Sequence, residues 1–274
     1  MMKQLAKLKF QGNAIKVPDK WSPPAGDPAA KHYGDAFKPG EKNAVPMPMP
    51  PALFLPHSTN KYHVDTQKKL NEQFTSYIDG IIDAICQAWS TWQSAATMVG
   101  VMINAVTASV GQVVGPPWTP LILASGPKKT PQELKYTTTI ANVIGTGWLS
   151  YTATIKIPGL PIFPAFAAMP SPIAPPTPNV PVPVIALTQV TASVSASMMK
   201  NQMAGMLGDP QAMYHKELFD AVCDAFEKCF QIWQASTQVT NILGTGPVPT
   251  FAPPFVPAGP VIGGVGTMMP GGFV

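Results

Sequence analysis

Between positions 78 and 95 the apolar residues Ile78, Ile81, Ile82, Ile85, Trp89 and Trp92 recur at the i, i+3, i+4, i+7 spacing of a single helix face. The pattern returns in 219–236, where Phe219, Val222, Cys223, Phe226, Phe230 and Trp233 occupy the equivalent positions without a gap. Asp79 and Asp83 align with Asp220 and Asp224, and Trp92-Gln93 with Trp233-Gln234. This spacing predicts two principal amphipathic helices, over 66–98 and 211–241. A different period governs the end of TTTIANVIGTGWLSYTATIKI (137–157), where Thr152, Thr154 and Lys156 alternate with Tyr151, Ala153, Ile155 and Ile157. A period of two is that of a strand, so this segment is the best strand candidate.

Two apolar stretches lack either signature. Residues 95–114 carry no charge but are diluted by Thr97, Asn104, Thr107, Ser109 and Gln112 and interrupted by Gly100. They read as a buried helix pair within an assembly or, in the alternative, as a membrane-inserting segment. Residues 158–187 contain ten prolines and no charge. A spanning helix is excluded there, because each proline lacks an N–H and the carbonyls left unpaired would face hydrocarbon. The segment is expected to be extended. Ile162, Phe163, Phe166 and Ile173 then require a protein groove, in this chain or in neighbouring subunits.

A second local match joins TTIANVIGTG (138–147) to TQVTNILGTG (237–246), pairing Gly145 and Gly147 with Gly244 and Gly246. Glycines after an apolar segment suit a helix C-terminus or a turn of positive φ. The implied organisation is a polar Lys/Pro-rich leader (1–60), a first helix-plus-arm unit (61–127), a middle β/Pro-rich unit (128–199) and a third helix-plus-arm unit (200–274). Three related units in one chain can imitate a threefold axis, as a seat on a trimeric partner would require. The fold class is α+β with high irregular content: two principal helices, short strands and long proline-rich extended arms.

Charge sharpens this picture. Nineteen of the thirty-two charged residues lie in the first 83 positions, and none falls in 84–127 or 229–274. The 12% share is about half that of an ordinary soluble domain, which points to surface covered by partners. All eighteen basic residues are lysine. Without the bidentate fork of arginine, nucleic-acid binding is not expected despite the net charge of +4. Cys223 and Cys229, roughly 9 Å apart along a helix, are too distant to bridge, so with Cys86 they read as free buried thiols. The N-terminus has no secretory apolar core, giving cytoplasmic synthesis.

Candidate chemistry is sparse. His57 and His63, with Cys86 or His215, have no spacing that resembles a closed zinc site, and no metal is expected. VIGTGW (143–148) and GGVG (263–266) lack the P-loop lysine and the dinucleotide fingerprint, so they read as turn chemistry. Asp79, Asp83, Asp220 and Asp224 read as solvated helix face. No nucleophile–base arrangement has local support, so neither an enzyme nor a cofactor is expected. The residues expected to bind partners are the aromatics of the stripes and arms: Trp89, Trp92, Trp118, Phe163, Phe166, Trp233, Phe251 and Phe255.

The tracts PPTPNVPVP (175–183) and GPVPTFAPPFVPAGPVIGG (246–264) resemble the proline/asparagine tracts of PAAR-like proteins, which cap the central spike of contractile phage tails and related injection machines. GDPAAKHYGD (26–35) adds a Pro-Ala-Ala-Lys. The resemblance covers about a fifth of the chain and implies a structural subunit of a virion, assembled in the host cytoplasm. Its place is the tail, baseplate or spike, and its partners are other subunits of the particle, such as a trimeric spike or hub. Membrane contact belongs only to the alternative reading.

Overall fold

The computed structural model describes residues 1–13, 57–251 and 258–274, and the side chains from Thr66 onward in the helix that begins at His57. The chain divides into two units, Met1–Phe10 with Tyr77–Val274, and Gln11–Ser76. The described end of the smaller unit is helical, with exposed side chains at 66–69. The larger unit carries the features that follow.

Both predicted helices form. Helix α2 spans His57–Ala95 and α6 spans His215–Ser236. Each buries its apolar stripe, from Ile78 to Trp92 in α2 and from Phe219 to Trp233 in α6. Trp92 and Trp233 are both buried and touch each other, with ring centroids 6.1 Å apart.

Between the two helices lie α3 (Trp118–Ser125), α4 (Pro131–Thr154) and α5 (Ala196–Leu207). Helix α4 replaces the strand expected at 137–157. Its start is a capping box on Thr130, whose hydroxyl accepts from the Glu133 N–H while the Glu133 carboxylate accepts from Thr130 N–H, with Pro131 opening the first turn. Helical geometry wins over the β-branched composition because α4 is buried on several sides, from Tyr136 through Thr152. Gly145 and Gly147 sit inside α4 rather than at a C-terminus. A Cβ on Gly145 would collide with Thr119 of α3, and one on Gly147 would lie 2.6 Å from the Ser193 carbonyl.

Residues 95–114 form a hairpin rather than a helix pair. Strands β1 (Thr97–Asn104) and β2 (Thr107–Val114) pair antiparallel from Thr97↔Val114 to Asn104↔Thr107. They belong to a six-stranded sheet with β3 (Ile157–Pro161), β4 (Ile173–Pro178), β7 (Ile242–Pro247) and β8 (Gly264–Met268), in the order β3-β2-β1-β8-β7-β4. Every pairing is antiparallel. A small second sheet joins β5 (Val182–Pro183) to β6 (Gln238–Val239).

The proline tract 158–187 is therefore not a free arm. It contributes β3, β4, β5 and short 3-10 turns, and its Phe163 and Phe166 are buried and stacked at 4.9 Å. Its groove lies in this chain. The phenyl ring of Phe163 rests on the backbone of β7, where a Cβ on Gly244 would stand 2.7 Å from it. The two GTG stretches thus share a sequence but not a structure: the first is helical, the second is strand. Both use glycine for close approach, and the units inferred from their similarity do not appear as repeated structures.

The leader opens on a helix. Residues Met2–Asn13 form helix α1, which buries Met2, Ala6 and Phe10 at i, i+4, i+8. The remainder of 14–56 lies outside the described residues.

Candidate functional site

Of the aromatics expected to meet partners, six are enclosed by this chain. Trp118 stacks on Trp148 at 4.1 Å and 21°, and Trp89 lies 5.4 Å from Trp118 and 5.7 Å from Trp233. Trp92 meets Trp148 edge-on at 4.9 Å. Together with Phe226, Phe230, Tyr151 and Phe273 they form one aromatic core across α2, α3, α4 and α6. Trp89, Trp92, Trp118, Trp233, Phe163 and Phe166 are all buried, so their role is packing rather than docking. Phe251 is half-buried, and Phe255 lies outside the described residues.

The glutamines beside the twinned tryptophans are used differently. Gln93 donates from Nε2 to the Phe273 carbonyl and accepts from Trp233 Nε1 at its Oε1. Gln234 is buried and donates to Tyr151 Oη and Gln189 Oε1, while Tyr151 donates to the same Gln189 oxygen at 2.6 Å. Burial pushes the Tyr151 phenol well above its usual range, and it stays a neutral donor.

The four aspartates are partnered rather than merely solvated. Helix α1 runs antiparallel to α2, because Lys3 pairs with Asp83 at 2.7 Å and Lys7 with Asp79 at 2.6 Å. Lys9 crosses to α6, reaching Asp220 at 3.2 Å and Asp224 at 3.6 Å. Lys200 and Lys228 complete the pairs on Asp220 and Asp224. Three apolar residues and three lysines thus strap the two principal helices together. The signal was present in the sequence as Met2, Ala6 and Phe10 interleaved with Lys3, Lys7 and Lys9.

Beyond the Met2 end of this strap, a groove of about 630 Å³ remains open, lined by Cys86, Trp89, Cys229, Trp233 and Phe273. Its polar wall comes from Ser90, Gln93 and Ser94. The thiols differ in setting: Cys86 is exposed, Cys229 intermediate and Cys223 buried, where its Sγ lies 3.6 Å from Met203 Sδ. All three are free, but only Cys223 is fully buried as expected.

No cluster of three or more His, Cys, Asp or Glu capable of holding a metal occurs among the described residues. His215 is buried at the start of α6, with Nδ1–H donating to the Ala212 carbonyl at 2.6 Å and its ring edge-on to Phe219. Of His57 and His63 the structure describes the backbone alone.

One surface stands apart, the outer face of the six-stranded sheet. No residue of its six strands is ionisable. Inner positions such as Met98, Val101, Ile103, Ala108, Val113 and Met268 are buried, while Val99, Met102, Val110, Val114, Ile173 and Val265 are exposed. Met102 and Val265 are cross-strand partners on the two central strands and are 54% and 60% exposed. An antiparallel sheet that faces water ordinarily alternates apolar residues with polar and charged ones. Sequence reasoning missed this face, because the strands that build it lie far apart in the chain. Among the described residues no helix is long and apolar enough to cross a membrane.

No protein-family model, no curated protein and no solved structure matches this chain.

Proposed function

We propose that this chain is a non-enzymatic structural subunit of a particle, and that the particle is a contractile tail or related injection machine. The observation that carries the reading is the uncharged outer face of the sheet, with Val99, Met102, Val110, Val114, Val265 and Ile173 exposed on it. Large exposed apolar residues set among uncharged polar ones on one face mark a surface made to be covered. The low overall charge and the PAAR-like tracts at 175–183 and 246–264 support the same role. In this reading the docking surface is the sheet face rather than the buried aromatics, the partners are neighbouring subunits of the tail, baseplate or spike, and the protein resides in the virion.

Protein fits this face better than lipid. Membrane-facing surfaces place tryptophan, tyrosine and lysine at the interface, and the six strands contain none of them. Flotation with liposomes tests the competing membrane reading: salt-resistant binding of the purified chain would favour it. Proteomics of the native particle tests the proposal. Co-purification with sheath, tube and spike proteins is expected, and absence from every such particle of its source overturns it.

A further inference from the structure

The assembly reading requires a neighbour for the outer face of the sheet. We infer that this neighbour is a second copy of the chain, packed face to face about a twofold axis near Met102 and Val265; the inference rests on the assembly reading. The two residues pair across β1 and β8, the third and fourth of the six strands, so the apolar centre lies on the midline of the face. Ser109 and Thr245 flank them in the same row through pairing with Met102 and Val265. In the next row Gln112 pairs with Val99, and Thr267 with Leu243. Exposed apolar residues interspersed with uncharged polar ones, and no charge among them, have the composition of a protein-interface core.

Charge selects the partner. Six strands without an ionisable residue offer no counter-charge of their own, so a charged surface docking on them would lose hydration uncompensated. Against its own copy no charge is desolvated on either side. The face is complementary to itself, as a twofold contact requires.

The edges of the sheet close the competing route. Pro158 and Pro161 lie in β3, and Pro175, Pro176 and Pro178 in β4, so both outermost strands are short of N–H donors. Copies cannot readily add strand to strand, which leaves the face. Six strands at about 4.8 Å spacing and roughly five residues of length give on the order of 400 Å² of projected face. Side-chain relief raises the accessible area toward the low end of standard interfaces, about 600–800 Å² per copy. The dimer is therefore expected to be modest in strength.

Sedimentation equilibrium of the full chain, up to roughly 200 µM, tests the inference, since a micromolar dissociation constant populates dimer in that range. A monomer–dimer equilibrium is expected. Met102→Glu and Val265→Lys, both on exposed positions, should each weaken it by roughly tenfold or more without lowering the melting temperature. Mixing the two variants should restore association, because the introduced charges meet across the axis. A chain that stays monomeric throughout, or a dimer indifferent to both substitutions, overturns the inference. If the isolated chain is monomeric yet Val265→Lys is excluded from native particles, the second copy is wrong and the assembly reading stands. If the dimer forms but the chain belongs to no particle, the dimer stands and the assembly reading fails.

Discussion

The indole N–H of Trp233 donates to Gln93 Oε1 at 3.2 Å, joining the last turns of α2 and α6 through a side chain that also donates to the Phe273 carbonyl. Replacing Gln93 by alanine removes the partner of both groups at the wall of the open groove, where water can partly replace it. A loss of about 0.5–1.5 kcal/mol is expected, read from the urea midpoint. Trp92→Ala removes a whole buried indole and should cost more, on the order of 3–5 kcal/mol. Equal, small effects from both would mean that the aromatic core does not hold these helices together.

The α1 strap should be stable between two pH limits. Partial burial opposes ionisation of Asp220, but hydrogen bonds from Lys200 and Lys9 outweigh it and hold the carboxyl below its ordinary 3.8. A depressed carboxyl contributes stability above its unfolded pKa and loses it as pH falls through the folded value. The Asp83 hydrogen bond raises Lys3 above 10.5, so that contribution is present below 10.5 and lost as pH rises further. Amide exchange in α1, corrected for the intrinsic pH dependence of each amide, should accordingly be slowest between these limits and faster beyond either. Added salt or the double change Lys3→Glu, Lys7→Glu should also speed it. Exchange unaffected by all of these would show that Met2, Ala6 and Phe10 suffice.

Two residues in the hairpin occupy backbone conformations suited to glycine. Ala105 has φ 50° at the turn, and Val110 has φ 65° in β2. The left-handed region costs roughly 1–2 kcal/mol for a side chain with a Cβ, most of all for a β-branched one. Val110→Gly should therefore raise stability by about 1 kcal/mol, even though glycine gains freedom in the unfolded chain. A lower urea midpoint would contradict the left-handed assignment.

Thiol titration should proceed in three stages. Cys86 reacts first in the native protein, Cys229 more slowly, and Cys223 only on unfolding. Partial desolvation at the groove wall is the main force raising Cys86 above the ordinary 9.0, with Asp83 adding to it. Its reaction rate should still be climbing above pH 9, because the thiolate is the reactive form. Rapid labelling of Cys223 in folded protein would refute its burial.

Helical periodicity in the sequence carries through to the structure, whereas the period of two at 151–157 does not, because α4 continues through Thr154. The stripes ending at Trp92 and Trp233 predicted α2 and α6, since each helix buries one face against the core. That alternation conceals helix α4, because burial on several sides erases the one-sided stripe. Its start was nevertheless written in Thr130, Pro131 and Glu133 as a capping box. The hairpin was hidden for the opposite reason, as Ala105 and Val110 are not turn-forming types. Nothing local could reveal the candidate face, because Met102 finds Val265 only through the pairing of β1 with β8.

That pairing also sets a timetable. Met98 of β1 pairs with Met268 of β8, so a ribosome extrudes the greasy hairpin long before the strand that must lie beside it. Until β8 emerges, β1 has one flank bare and β7 has no bridge to the hairpin. Folding of the sheet is consequently deferred until β8 has emerged, and the nascent chain must be shielded in the meantime. A premature stop before Gly264 would remove the strand at the centre of the sheet, leaving two hydrophobic halves for the cell's quality control to clear.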